Sequence, residues 1–519
     1  MASSRGPRAR SWALILALSG LTLALGFAVQ VALAAALGTG REMDVYLVAV
    51  TVPTLLAVLA LAVFPSYLVP VLQARAAVGG PCESAALTWV FARRTAVAAL
   101  GLVATLELAA PVVVRLVAPG FAGDEARQAT ILLRIMLAGS FFDLLRGVLS
   151  AVEYAREKFL LPQLAPSLNH AALLASALLL LRPFGLVGLA AGWSVGSLLM
   201  FLMVLPALRG VHLFRRSPRS SAHSVESIGG GFLPIVLVAG FAQLSPVIDR
   251  LVASLLPVGS ISYLGYGSKL LEVLMRTVPM AVALSAFPVL SAHAARGDGE
   301  RMRGEAVGAL RLALLGAVPL ALTVLVFRVP LVQVLLQRGA FDAASTRHVA
   351  TACAWYAVAF VPATVAYVLT QVSFALKRSW FLARILAASS LATAVLDLAL
   401  ARRLGFAGVA MAFAAVSAMQ ALILWGDLQR RLRLAGATWT PFLGQLTFAC
   451  TTMTGGWVAT TAWAGRWGAD RSALWLGLNA AIGAAVFAGA LWSAGNAEAR
   501  AAAAAVSRAV RERRPGAGA

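Results

Sequence analysis

"FGLVGLAAG" at positions 184–192 has a counterpart in "LGFAGVAMA" at 404–412. Gly185 aligns with Gly405 and Gly188 with Gly408, each pair 220 residues apart (405 − 185 and 408 − 188). The same offset aligns Phe121 in "PGFAGDEARQA" with Phe341 in "RGAFDAASTRH", and Tyr154 in "VEYAREKF" with Phe374 in "VSFALKRSW". Four ungapped landmarks at one offset mark an internal duplication.

The duplicated stretches lie in an unusually apolar chain. Of 519 residues, 60% are hydrophobic and 12% charged, about half the charged share of a soluble domain. Apolar runs of about 20 residues, each enough to cross a bilayer as a helix, recur from end to end. Reading between charged or Pro/Gly-rich breaks predicts fourteen spans: 12–38, 44–72, 86–117, 129–152, 159–181, 184–208, 231–256, 261–292, 305–336, 347–376, 380–401, 405–429, 440–464 and 472–494. The offset relates spans 3–6 to spans 9–12, and a shift of six spans preserves orientation. Parallel repeats of this kind in transporters enclose a path that opens alternately to the two sides. The expected fold is an all-α integral membrane protein with two parallel six-helix lobes around a central cavity, plus two extra C-terminal helices. The expected segments are a cytoplasmic N-terminus at 1–11, an N-lobe at 12–210, a linker at 211–230, a C-lobe at 231–433, a helix pair at 434–495 and a basic tail at 496–519.

The net charge of +22 suggests nucleic acid until its distribution is considered. Most arginines lie in short connections, on alternate sides of the predicted spans. One side holds the N-terminus, Arg156 and Lys158, Arg209 to Arg219, Arg296 to Arg303, Lys377 and Arg378, Arg430 to Arg433, and the tail. The positive-inside rule makes that side cytoplasmic, with both termini there. The first apolar run exceeds the roughly 7–15 residues of a signal peptide core and is read as a retained span. Cys82, Cys353 and Cys450 are too few and too scattered for a disulfide or metal framework. The five histidines are dispersed, and there is neither an Asp-x-Asp motif nor a sizeable extramembrane loop. A membrane glycosyltransferase or acyltransferase is therefore disfavoured, no catalytic residue is assigned, and no cofactor is expected. A "GxxxxGK[ST]" phosphate loop is also missing, so the expected driving force is the membrane potential or a coupled ion.

Charges inside the predicted spans are the candidate site. Lys269, Glu272 and Arg276 in span 8 are spaced to share one helical face. Asp249 and Arg250 in "VIDRLVASLL" are adjacent, diverge by about 100° and cannot pair well with each other. Asp143 and Arg146 in "FFDLLRG" are spaced either to pair or to line a cavity. Gln243, Glu107 and Asp397 read as helix-packing polar groups.

"APGF" at 118–121, "LPQLAPSLNHAAL" at 161–173, "IDRLVASLLPVGSISYLGYGSKLLEV" at 248–273 and "LLQRGAFDA" at 335–343 resemble the MviN/MurJ lipid II flippases of the multidrug/oligosaccharidyl-lipid/polysaccharide exporter superfamily. The resemblance implies a flippase moving an undecaprenyl-diphosphate-linked saccharide to the outer leaflet, with a cationic cavity for the headgroup and a lipid-tail groove on spans 13 and 14. It carries over Lys269, Glu272 and Asp44. By this reading Lys269 and Arg276 attract the diphosphate and Glu272 orients them. The alternative is a self-neutralising Lys269–Glu272 pair that holds the helix. Asp249 and Arg250 are expected at an outer gate, against Asp44 or Arg41, or else reaching to water at the interface. Leu23, Val29, Gln30, Ala57 and Val58 stand where the family typically carries charge. An exopolysaccharide or O-antigen flippase therefore stays open as the alternative, with a drug/cation antiporter behind it. Partners beyond the lipid-linked glycan and membrane lipids would be cell-wall or polysaccharide assembly proteins.

Overall fold

The computed structural model describes residues 5–208, 232–276, 278–434, 439–466 and 473–500. The expected linker at 211–230 and Arg508, Arg511, Arg513 and Arg514 of the tail lie outside the described residues. Within them, the regular elements are helices. In chain order they are α1 (Arg5–Leu37), α2 (Arg41–Ala49), α3 (Thr51–Val117), α4 (Asp124–Ala155), α5 (Leu160–Leu179), α6 (Leu181–Val204), α7 (Phe232–Ser254) and α8 (Ser260–Arg276). They continue as α9 (Val278–Arg296), α10 (Gly299–Leu336), α11 (Ala343–Ala375), α12 (Ser379–Leu404), α13 (Phe406–Leu432), α14 (Trp439–Arg466) and α15 (Ala473–Ser493).

Among the described residues, 12 spans are long and apolar enough to cross a membrane. The two other expected spans are helical as well, in α5 and α14. Gln163, Asn169 and His170 in α5, and Gln445 with a run of threonines in α14, dilute their hydropathy. Helix α3 extends over two expected spans, yet the rings of Tyr67 and Phe91 are 6.3 Å apart. Straight helix would separate them by roughly 36 Å, so the chain reverses between them and α3 forms two arms.

Packing divides the chain into two compact units. One comprises residues 1–265, 336–345 and 386–409, and the other 266–335, 346–385 and 410–519. These units group segments by packing, whereas the expected lobes group them by duplication. In the first unit, Leu68, Leu72 and Leu87 of α3 pack with Val148, Leu149 and Val152 of α4 and with Val204 of α6. In the second, Phe327 of α10 packs with Trp457 of α14 and Phe487 of α15. The helix pair at the end of the chain is thus built onto α10. Arg311 of α10 extends that attachment, bonding Glu498 at 2.8 Å and lying over the rings of Trp439 and Phe442.

The duplication recurs in backbone geometry. Gly185 and Gly405 have φ of 57° and 60°, positive-φ backbone that glycine adopts without steric cost. Glu157 and Lys377, also 220 apart (377 − 157), have φ of 59° and 57°. The N–H of Lys158 donates to the Glu153 carbonyl at 2.8 Å, and that of Arg378 to the Ser373 carbonyl at 3.0 Å. A Cβ on Gly188 would strike the Leu180 carbonyl, and one on Gly408 the Leu400 carbonyl, so both helix starts need the missing side chain. Outside the spans, Asp342 opens α11 by accepting the Ser345 N–H at 2.7 Å, which holds its carboxyl below the usual carboxylate range.

Candidate functional site

One face of α8 packs on protein through Leu264, Gly267 and Leu271. The opposite face carries Lys269, Glu272 and Arg276, with side chains 52%, 44% and 62% exposed. Glu272 bridges its neighbours, accepting from Lys269 Nζ and from Arg276 Nη2 at 2.9 Å each. The expected shared face is therefore present, and the self-neutralising pair is a triad with one carboxylate between two cations. One bond occupies only part of each cation, since an ammonium has three N–H donors and a guanidinium five. The triad keeps an excess positive charge and donors directed away from its own helix. Intramembrane charges are costly and are usually directed at a bundle interior or a watery cavity rather than at lipid. Together these features suit an anion with several oxygens.

The beginning of α8 is held by Asp44 of α2. The Gly259 N–H donates to Asp44 Oδ2 at 2.6 Å, while the Ser262 N–H and hydroxyl donate to Oδ1 at 2.8 and 2.5 Å. Helix N-termini present unpaired N–H groups and partial positive charge, so a carboxylate there both caps the helix and meets its dipole. Asp44 is 4% exposed, and a neutral residue in its place would strand these donors.

Of the other expected gate residues, Arg250 Nη1 donates to the hydroxyl of Thr51 at 2.5 Å. Arg41 forms an ion pair with Glu125. Asp249 faces Asp397 of α12, and the oxygens Asp249 Oδ1, Asp397 Oδ1 and Asp397 Oδ2 are buried without a hydrogen-bond partner. Asp249 and Arg250 thus diverge as their spacing requires, one to α12 and the other to the start of α3.

Asp143 and Arg146 form a buried pair, with Arg146 Nε donating to Asp143 Oδ1 at 3.2 Å and the Ser197 hydroxyl to Oδ2 at 2.8 Å. They are 0% and 3% exposed, so of the two arrangements their spacing allows, pairing is the one formed. This places them inside the packing of α4 with α6. Asn169 donates to the Trp193 carbonyl at 3.4 Å, a packing role.

Sequence reasoning missed Thr51, Gly259 and Ser262 as partners, and it placed Asp397 among packing groups. Ser262 carried a weak signal, a small polar residue in the first turn after Pro257. Thr51 carried none, because a threonine at a helix start is ordinary. In the C-terminal pair, Trp457 Nε1 donates to the Asn479 carbonyl at 2.9 Å and the Thr460 hydroxyl bonds Asn479 Oδ1 at 2.5 Å, fixing α14 on α15.

The family described as Lipid II flippase MurJ matches residues 33–474. The chain is 28% identical over 457 residues to the lipid II flippase MurJ of Burkholderia cenocepacia, covering 85% of this chain and 88% of that one. It is 25% identical to a probable lipid II flippase MurJ of Synechocystis, covering 84% and 85% of the two. Its fold is similar to a solved lipid II flippase MurJ in an inward closed conformation, with a TM-score of 0.79 at 20% identity over 91% of this chain and 97% of the other. An inward-facing multidrug resistance MATE transporter follows at a TM-score of 0.67 and 15% identity, covering 82% of this chain and 99% of that one. A match that runs through nearly all the spans, including the segments carrying Asp44, Asp249 and the α8 triad, makes this chain a member of the lipid II flippase MurJ family.

Proposed function

We infer that this protein carries lipid II, an undecaprenyl-diphosphate-linked saccharide, from the inner to the outer leaflet of the bacterial inner membrane. The observation that carries the reading is the exposed Lys269–Glu272–Arg276 face on a membrane-spanning helix of a chain in this family. Two cations joined by one carboxylate receive a diphosphate by exchange. Phosphate oxygens replace Glu272 as acceptors on arrival and return the cations to Glu272 on departure. Charge-assisted hydrogen bonds of this kind are short and strong, and Arg suits forked phosphate geometry. Exchange keeps the bound state from becoming a trap.

The relatives named above favour lipid II over other lipid-linked glycans and over antiport of drugs. The duplicated halves at 12–210 and 231–433 supply two bodies for alternating access, and the pair at 434–495 guides the lipid tail. The arginine distribution supports cytoplasmic termini. An anionic headgroup moving outward gains about 2.3 kcal/mol per charge for each 100 mV of inside-negative potential. A coupled ion is the other source of drive, and the donor-free oxygens of Asp249 and Asp397 suit a proton or a cation rather than a phosphate.

The test is complementation in cells depleted of their own lipid II flippase, read by viability and by lipid II reaching the outer leaflet. Restored growth with outer-leaflet lipid II is expected. Normal membrane insertion without either would overturn the reading.

A further inference from the structure

The second arm of α3 and the start of α4 form a hairpin with one ionisable residue on each helix at matching height. Glu107 lies ten residues before Val117 (117 − 107), and Arg134 lies ten after Asp124 (134 − 124). Both are therefore about 15 Å from the turn, near the middle of a hydrocarbon layer about 30 Å thick. Glu107 is half-buried and Arg134 exposed, close enough for the guanidinium charge to act on the carboxyl. Neither is taken up in a hydrogen bond or ion pair among the described residues. Pro111 follows Glu107 by four residues and has no N–H to offer its carbonyl, so that backbone acceptor is also left open.

The surrounding surface is apolar and uncovered, with Val97, Leu100 and Val112 exposed and Leu108 at 85%. A carboxylate, a guanidinium and a bare carbonyl at mid-depth on such a surface are a poor match for acyl chains. They match a second copy of the same surface. A two-fold axis along the membrane normal keeps depth unchanged, so it sets Glu107 of one copy against Arg134 of the other, and the reverse. Exposed Gly101, Ala104 and Thr105, with open space where a Cβ on Gly101 would lie, let two helices approach closely, as membrane helix contacts require.

We propose that this face of α3 and α4 is a homodimer interface, closed by reciprocal Glu107–Arg134 pairs between two copies of the chain. The full chain is tested in membranes after replacing Cys82, Cys353 and Cys450, with Leu108→Cys as the cross-linking probe and Leu478→Cys on exposed α15 as control. A disulfide dimer is expected from Leu108→Cys and none from the control. Adding Glu107→Arg alone, or Arg134→Glu alone, abolishes the dimer, because each homodimer then sets like charges together. Mixing the two variants restores it, since every contact is again opposite in sign, and restoration also shows that both variants fold. Equal yields from probe and control, or failure of the mixture to recover, would overturn the proposal and leave the face to lipid or to a different protein.

Discussion

The carboxylate of Asp44 holds Ser262 twice on one oxygen, through the backbone N–H at 2.8 Å and the hydroxyl at 2.5 Å, across 218 residues of chain. Hydrogen bonds to a charged acceptor are worth about 1.5–3 kcal/mol, and unsatisfied buried donors add to the loss. Asp44→Ala strips three bonds and should destabilise by about 3 kcal/mol or more, while Ser262→Ala removes one. Thermal unfolding in detergent should rank the wild type first, Ser262→Ala second and Asp44→Ala last. Combining the substitutions should cost less than the sum of the two, because both act on one contact.

The α8 triad separates function from stability. Exposed ion pairs contribute about 0–1 kcal/mol, so Lys269→Ala and Arg276→Ala should leave the melting temperature nearly unchanged. Each should still lower outer-leaflet delivery of lipid II about tenfold or more, as loss of about 1.4 kcal/mol of headgroup binding requires. Glu272→Gln removes the charge shared by both cations and replaces one accepting oxygen by an NH2 donor, so it should tighten headgroup binding while slowing turnover. A melting temperature that falls in step with activity would instead make the triad a structural brace.

Asp143 and Arg146 should behave in the opposite way. Removing one partner of a buried ion pair leaves an uncompensated charge and costs about 3–5 kcal/mol. Arg146→Leu should therefore lower expression and melting temperature together. Replacing both residues by apolar side chains of similar volume should recover most of the loss, with transport tracking the amount of folded protein.

The contrast between those sites shows what the sequence conveys. Lys269, Glu272 and Arg276 could be placed on one face because helical periodicity is local, and the exposure of that face agrees with their charge. Asp143 and Arg146 have the same local spacing, yet the pairing they form depends on Ser197, 54 residues later. Apolar run length was enough to place the helices, including α5 and α14 with their diluted hydropathy. The partners of Asp44 and Arg250 were beyond reach, since an N–H donor or a threonine hydroxyl leaves no mark in composition.

The duplication was legible because backbone constraints select residue types, and it supports a graded prediction. Gly405→Ala asks an L-residue to adopt φ near 60°, at a cost of about 1–2 kcal/mol. Gly408→Ala drives a methyl group into the Leu400 carbonyl, a backbone atom that cannot swing aside, and should cost more. The same order should hold for Gly185→Ala and Gly188→Ala. Melting temperatures of the four variants check it, and an inverted order in either copy would separate the two repeats.

Asp249 and Asp397 allow the driving force to be divided. Their facing carboxyls lie where the described residues supply no donor to three of the four oxygens, so a proton or a small cation is the species that would relieve them. Asparagine keeps the shape and supplies its own N–H donors, so Asp249→Asn and Asp397→Asn should fold. In proteoliposomes the wild type should respond to the membrane potential and also to an imposed proton or sodium gradient. The two variants should keep the first response and lose the second. If both responses survive in both variants, the potential acting on the headgroup is the drive and the carboxyl pair serves only to pack α7 against α12.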